Sequence, residues 1–326
     1  MPTLAATYLG LSLKSPIVLS SSNLTNTVNG IRRAADAGAG AVVLKSLFEE
    51  QIEAENSPDG EEVDYAIHPE AEEYIKQMGK HLGPDSYLKL IRDAKEAGGI
   101  PVIASVNCTS PRWWIDYAKQ IQSAGADALE LNIALMPREG ESSEEIESRY
   151  EEIVGSVHGE VELPIAVKIG AFFTSLPRFV ERLQRAGARS LVLFNRFYQL
   201  DIDIDSLELK AGYQFSAPQE LHTPLRSISI LAGETRCELS ATTGVHTGAD
   251  VIKMLLAGAA TVQVCSAVYQ NGYERITAMN QELSDWMKRH SFNSVEEFRG
   301  RLSQAGSEQP EAYERLQYIK ALTGIS

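Results

Sequence analysis

The chain has 326 residues, 44% of them apolar, and a formal net charge of −14. That much apolar material supplies a full core and excludes a disordered chain. The negative balance excludes nucleic acid or an anionic membrane as a partner for the surface as a whole. Cys108, Cys237 and Cys265 lack metal-type spacing and point to a reducing compartment. No charged-then-apolar leader opens the sequence and no apolar run approaches ~18 residues, so a cytoplasmic protein without a membrane span is expected.

Taken in order, residues 16–19 (PIVL) read as a first strand running into Ser20, Ser21, Ser22 and Asn23. Helices are expected over 28–37, 85–97, 113–124, 142–157, 177–185 and 224–231. They alternate with short apolar strands at 41–46, 101–106, 128–132, 164–169, 190–194 and 237–239. Ala-Gly-Ala or Ala-Gly-Gly turns after several of these helices fit glycine's freedom at helix ends. Amphipathic helices alternating with apolar strands imply parallel strands buried on both faces. Eight such strands close most economically as a (β/α)8 TIM barrel, with an open doubly wound sheet as the other arrangement.

Two stretches interrupt the alternation. Residues 48–84 are acidic and carry Tyr65, His68, Tyr74 and His81. Residues 197–223 read as a hairpin turning at Ala211-Gly212. Both follow strands, so both are expected as lid-like insertions on the face where barrel chemistry occurs. From residue 281 onward the reading is C-terminal helices: 281–290, 294–302 opened by a Ser294/Glu297 capping box, and 310–322. The whole, 1–326, is expected to form one barrel domain.

Residues 240–267 carry the most specific local signal. A polar turn over 241–245, an amphipathic run over 248–256, a strand at 261–264 and a new helix after Cys265 and Ser266 offer two neighbouring helix starts. Such starts bind phosphate, and the loops after strands seven and eight are the usual phosphate corner of a barrel. Other strand ends carry Lys45, Ser46, Asn107, Asn132, Lys168, Asn195 and Arg196, with no carboxylate and no histidine among them. Lys45 and Lys168 lie within or directly after apolar runs, so a ligand anion or electron-rich ring is their natural partner. FMN fits this inventory: lysine beside the ring, asparagine amides along its edge, helix starts on its phosphate. Lys168 also fits a Schiff-base lyase, although no acid/base partner stands beside it in the sequence.

On the segments GAGAVVLKS, GADALELN, PIAVKIG and TTGVHTGADVIKMLLAGAATVQVCSAVYQNG, the chain resembles the FMN-dependent dihydroorotate dehydrogenases, over nearly its whole length. The resemblance implies FMN held by Ser20, Ser21, Ser22, Lys45, Ser46, Asn107, Asn132, Lys168, Asn195, Thr243, Gly244, Cys265 and Ser266. It implies catalytic roles for Lys45, Lys168 and Asn132, and substrate contacts from Asn132 and Asn195; Arg196, standing where the family usually carries a serine, is read as a further, new cation for the substrate. A small-molecule substrate and a homodimer are the expected partners. Leu135 stands where class 1 members carry their cysteine base, and the loop that grips the orotate carboxylate is replaced by the Glu-rich stretch around 65–84. Phe215-Ser216-Ala217-Pro218 replaces the family's Gly-Gly pair. A flavoprotein with a weakened namesake reaction is therefore expected, the other reading being a non-catalytic FMN- or phosphate-binding barrel subunit.

Overall fold

The computed structural model of the chain describes residues 2–49, 51–52, 83–109, 114–136, 139–196, 199–212, 214–308, 310–313 and 315–324. Tyr65, His68, Tyr74 and His81 of the acidic stretch lie outside them.

The chain opens with an antiparallel hairpin, β1 (Ala6–Tyr8) and β2 (Leu11–Leu13). Its two-residue loop, Leu9 (φ 56°) and Gly10 (φ 76°), needs two left-handed residues in succession, as a type I′ turn does. Tyr8, Leu9 and Leu13 are buried against Val18, Val43, Ile103, Ala166 and Val192, so the hairpin plugs the amino end of the barrel. Nothing in the sequence reading anticipated this plug, because three-residue strands carry too little periodicity to be seen.

The barrel follows. Its strands and helices alternate as β3 (Ile17–Leu19), α1 (Val28–Asp36), β4 (Ala41–Val43), α2 (Pro84–Ala97), β6 (Val102–Cys108), α3 (Trp114–Ser123), β7 (Ala128–Ile133), α4 (Ser143–His158), β8 (Ile165–Ile169), α5 (Leu176–Ala186) and β9 (Ser190–Leu193). After a surface hairpin come α6 (His222–Leu231), β12 (Glu238–Ala241), α7 (Gly248–Ala257), β13 (Thr261–Val264) and α8 (Ser266–Asn271). A short β5 (Leu47–Phe48) adds to the edge of β6. Each strand pairs in parallel with the next, β13 returns to β3, and β4 meets β6 across the ring, which closes an eight-stranded (β/α)8 barrel. The expectation of a TIM barrel holds, and the open sheet is excluded.

Outward-facing strand residues such as Ile17, Leu19, Val102, Leu129 and Val167 join the helices' apolar stripes in the main core. Inward-facing positions are small or apolar near the plug and polar near the carboxyl ends, which is where a ligand site is built. Helix ends follow local chemistry. α4 starts on the Ser142/Glu145 capping box, and α5 stops at Gly187, in the left-handed conformation at φ 114°.

Two expectations are corrected. The surface hairpin comprises β10 (Gln199–Asp203) and β11 (Glu208–Gly212), so Ala211 and Gly212 lie in the second strand and the turn spans 204–207. The Asp203 carboxylate fixes that turn by accepting the N–H groups of Asp205 and Ser206 at 3.0 and 3.1 Å. An acceptor at the head of a turn outweighed the Ala-Gly signal. At the C-terminal end, α9 (Glu274–Arg289) begins earlier than expected, and 294–302 is not a helix. Only Val295–Glu297 form a 3-10 turn, because Glu297 accepts the Asn293 N–H at 2.9 Å and Ser294 makes no cap bond. The segment then satisfies the end of α7: the N–H groups of Gly300 and Leu302 donate to the Leu255 and Leu256 carbonyls, each at 2.9 Å. The last helix among the described residues is α10 (Arg315–Thr323). Among the described residues, no helix is long and apolar enough to cross a membrane.

Candidate functional site

A cavity of about 580 Å³ opens among the carboxyl ends of the barrel strands. It is lined by the segment after β3 (Ser20, Ser21, Ser22, Asn23), by Lys45 and Ser46 after β4, by Asn132 of β7 and by Lys168 of β8. Phe194, Asn195 and Arg196 follow from β9 and Thr242–Val245 from β12. Gln263–Ser266, at the β13/α8 junction, complete the ring. The twelve other residues expected around a flavin thus meet in one space, and Arg196 with them. Asn107 does not line it. It sits on β6 in register between Phe48 and Asn132, both of which do line it.

The two lysines occupy different settings. Lys45 Nζ donates to Asn23 Oδ1 at 2.7 Å, and partial burial lowers its pKa by removing solvent from the ammonium. Lys168 is the more enclosed, at 8% exposure, and its Nζ lies 3.9 Å from Glu130 Oε1. Glu130 is not among the strand-end residues singled out from the sequence. It stands two residues before Asn132 on the same inward face of β7, one layer deeper. The signal was a charged residue inside an otherwise apolar strand run, which is seldom tolerated without a partner.

The remaining donors are tied into pairs. Asn195 Nδ2 donates to Asn132 Oδ1 at 2.8 Å, which fixes both amides at the lining. The Ser46 hydroxyl lies 3.0 Å from Ser21 Oγ and 2.8 Å from Ser105 Oγ, and the Ser46 N–H donates to Ser21 Oγ at 2.8 Å. Arg196, expected as a cation for substrate, donates from Nε to Glu220 Oε2 at 2.9 Å and from a terminal nitrogen to the Gln214 carbonyl. Its charge is therefore largely matched by the protein itself.

The phosphate corner is arranged otherwise than expected. Helix α7 begins at Gly248, beyond the Thr243–Gly244 turn, and its first N–H groups are already taken. Asp250 Oδ2 accepts from the His246 and Thr247 N–H groups, Thr247 Oγ1 accepts from Asp250, and Glu282 Oε2 accepts from Gly248 at 2.6 Å. Those donors of the helix start are committed within the protein, some through the local Thr247/Asp250 capping box and one through Glu282, which local spacing does not reveal. What faces the cavity is the turn itself, where Thr243 (φ 74°) and Gly244 (φ 76°) are both left-handed, together with the start of α8. Among the described residues, the N–H groups of Thr243 and Gly244 meet no acceptor. Across the corner runs Phe215–Ser216. The Ser216 N–H donates to Ser266 Oγ at 3.0 Å, and the Phe215 ring stacks on Tyr269 with centroids 5.2 Å apart. Burial raises the Cys265 thiol pKa, with a Ser22 hydrogen bond opposing, so this cysteine is held neutral beside the corner.

A family model described as dihydroorotate dehydrogenase matches residues 3–287. The chain belongs to the dihydroorotate dehydrogenase family. It is 28% identical over 299 residues to the dihydroorotate dehydrogenase B (NAD(+)) catalytic subunit of Pyrococcus abyssi, covering 89% of this chain and 96% of that one. It is 27% identical over 331 residues to the chloroplastic dihydropyrimidine dehydrogenase (NADP(+)) of Arabidopsis thaliana, covering 92% of this chain and 76% of the other. A putative dihydroorotate dehydrogenase A (fumarate) of Aeropyrum pernix is 25% identical over 305 residues, covering 92% and 97%. The family's members are dehydrogenase-type oxidoreductases that depend in general on a flavin.

Within this family frame, Leu135 is 7% exposed and belongs to the hydrophobic core cluster, not to the cavity lining. Of the other positions considered for a base, Thr109 is bound through both its N–H and its hydroxyl to Glu49 Oε2, at 2.7 and 2.8 Å. His246 Nε2 lies 3.3 Å from Ser216 Oγ, with its ring 9% exposed and outside the lining. The Cys108 side chain, Ser110 and Tyr198 lie outside the described residues.

Proposed function

We propose that the chain binds FMN in this cavity and works as a dihydroorotate dehydrogenase-type oxidoreductase on a small planar or carboxylated substrate. The carrying observation is that Lys45 and Lys168 converge on one cavity whose opposite corner offers the Thr243–Gly244 turn and the start of α8. Two ammonium groups suit the edge of a ring that gathers negative charge, and uncommitted backbone N–H groups suit a phosphate. When bound, FMN supplies a ring that accepts hydride from a substrate carbon. The paired amides of Asn132 and Asn195 then orient a planar partner, and Phe48 and Phe194 keep water from the lining.

The proposal extends to one FMN-binding domain over 1–326, in the cytoplasm. The relative named a catalytic subunit supports assembly with a second kind of chain beside the homodimer expected from sequence. The substrate is proposed to be a ring of the dihydropyrimidine kind, as the relatives' names suggest, held without a dedicated carboxylate clamp because Arg196 is paired with Glu220. A non-catalytic FMN- or phosphate-binding barrel shares the same donors and differs only in turnover. A Schiff-base lyase fits less well, since Lys168 is ion-paired with Glu130 whereas that chemistry starts from a neutral amine.

Lys168→Met tests the reading. It keeps length, removes the charge, and is expected to lower the midpoint potential of bound FMN by tens of millivolts, about 30 mV for each tenfold change in the reduction equilibrium. Spectroelectrochemistry reads the shift. An unchanged potential with FMN still bound would place the lysine elsewhere.

A further inference from the structure

Glu130 is 1% exposed, and its two oxygens are treated unequally. Oε2 accepts from Gln263 Nε2 at 2.7 Å, and Gln263 Oε1 in turn accepts from the Ser20 hydroxyl at 3.0 Å. Among the described residues Oε1 has no hydrogen-bond donor, and the Lys168 ammonium, 3.9 Å off, stands outside hydrogen-bond distance. A buried carboxylate with one orphan oxygen is costly, and the core would be better served by a neutral side chain unless the charge acts on something nearby. The nearest candidate is Lys168, whose other side faces the cavity.

We propose that Glu130 is a positioning residue that acts through Lys168, holding the ammonium at the cavity floor and cancelling part of the positive charge it presents to a bound ring. The floor is then nearly neutral at Lys168, and Lys45, whose partner among the described residues is the neutral Asn23 amide, carries the net charge of the site. Glu130 is thereby set to restrain how readily a bound ring takes up electrons, opposite in sign to the lysine it faces. The inference rests on the FMN reading for its main readout but not for its second.

Glu130→Gln keeps shape and lets the Gln263 bond persist while removing the charge. The expected result is a more positive FMN midpoint potential, by at least tenfold in the two-electron equilibrium, or about 30 mV. Lys168→Met moves it the other way. Glu130→Met, which also loses the Gln263 bond, should shift the potential in the same direction as Glu130→Gln, whereas a purely structural Glu130 would change melting temperature and leave the potential alone. An unmoved or lowered potential in both variants, or failure of both to fold, overturns the proposal. Wild-type protein that takes up no FMN would overturn the cofactor reading instead. The pair is then read in ligand-free protein by calorimetry with orotate as a planar anionic probe. Removing the carboxylate should tighten orotate about tenfold, because an anion at Lys168 no longer meets a second anion behind it. Unchanged orotate affinity overturns the proposal in that arm.

Discussion

Dihydroorotate should reduce the bound flavin at least ~10²-fold more slowly than it does in a family member that carries the cysteine base, measured side by side by anaerobic stopped flow. Removing hydride from one carbon of the substrate ring requires a proton to leave its neighbour, and a positioned base contributes roughly 10²–10⁴ in rate. Leu135 offers no lone pair and is buried in the core. Thr109 is engaged by Glu49, and His246 faces Ser216 outside the lining. Of the lining hydroxyls, Ser21 and Ser46 are bonded to each other and Ser20 donates to Gln263, while Ser216, 3.3 Å from His246 Nε2, is tied to Ser266 at the phosphate corner through its own N–H. Arg196 gives little help with the substrate carboxylate, since Glu220 holds it. Rapid bleaching by dihydroorotate would contradict this, and its disappearance in Cys108→Ala would move the base to the end of β6.

Gly244→Val should unfold or severely destabilise the protein, by roughly 3–5 kcal/mol, the upper range for single substitutions. A side chain that took the phosphate's place would be one reason for such a variant to lose FMN. The structure gives a different reason. A Cβ on Gly244 would lie 2.2 Å from the Leu221 nitrogen and 2.8 Å from the Glu220 carbonyl carbon, backbone atoms that cannot turn aside. The φ of 76° adds strain for any β-branched residue. The turn that faces the cavity is thus pinned from behind by the start of α6, and loss of FMN in the variant would be a consequence of loss of fold. Thermal denaturation of the ligand-free protein decides between the two: a wild-type melting temperature combined with selective loss of FMN binding would restore the phosphate-filling explanation.

The barrel was legible because each of its signals is local. Strand runs of four to six apolar residues, helix caps such as Ser142/Glu145, and glycines at helix ends repeat along the chain and agree with one another. The strand-end residues were legible for the same reason, since a barrel sends its carboxyl ends to one face. What escaped depends on partners distant in sequence. The first donors of α7 are consumed in part by Glu282, 34 positions on. Arg196 is neutralised by Glu220 across the hairpin insertion, and the Gly244 contact comes from Leu221. Glu130 escaped because it is not a strand-end residue: the inward face of β7 carries it one layer below Asn132. Asn107 fits the family pattern at its position and lies in register between Phe48 and Asn132, which line the cavity although Asn107 itself does not.

The central claim is an FMN site between the two lysines and the Thr243–Gly244 corner, and titration of the ligand-free protein into FMN, followed by flavin fluorescence, tests it most directly. Saturable quenching at one FMN per chain, weakened when Lys45 and Lys168 are both replaced by Met in protein that melts like wild type, is the predicted result. Absence of any uptake by folded protein, or uptake indifferent to both lysines, would contradict it.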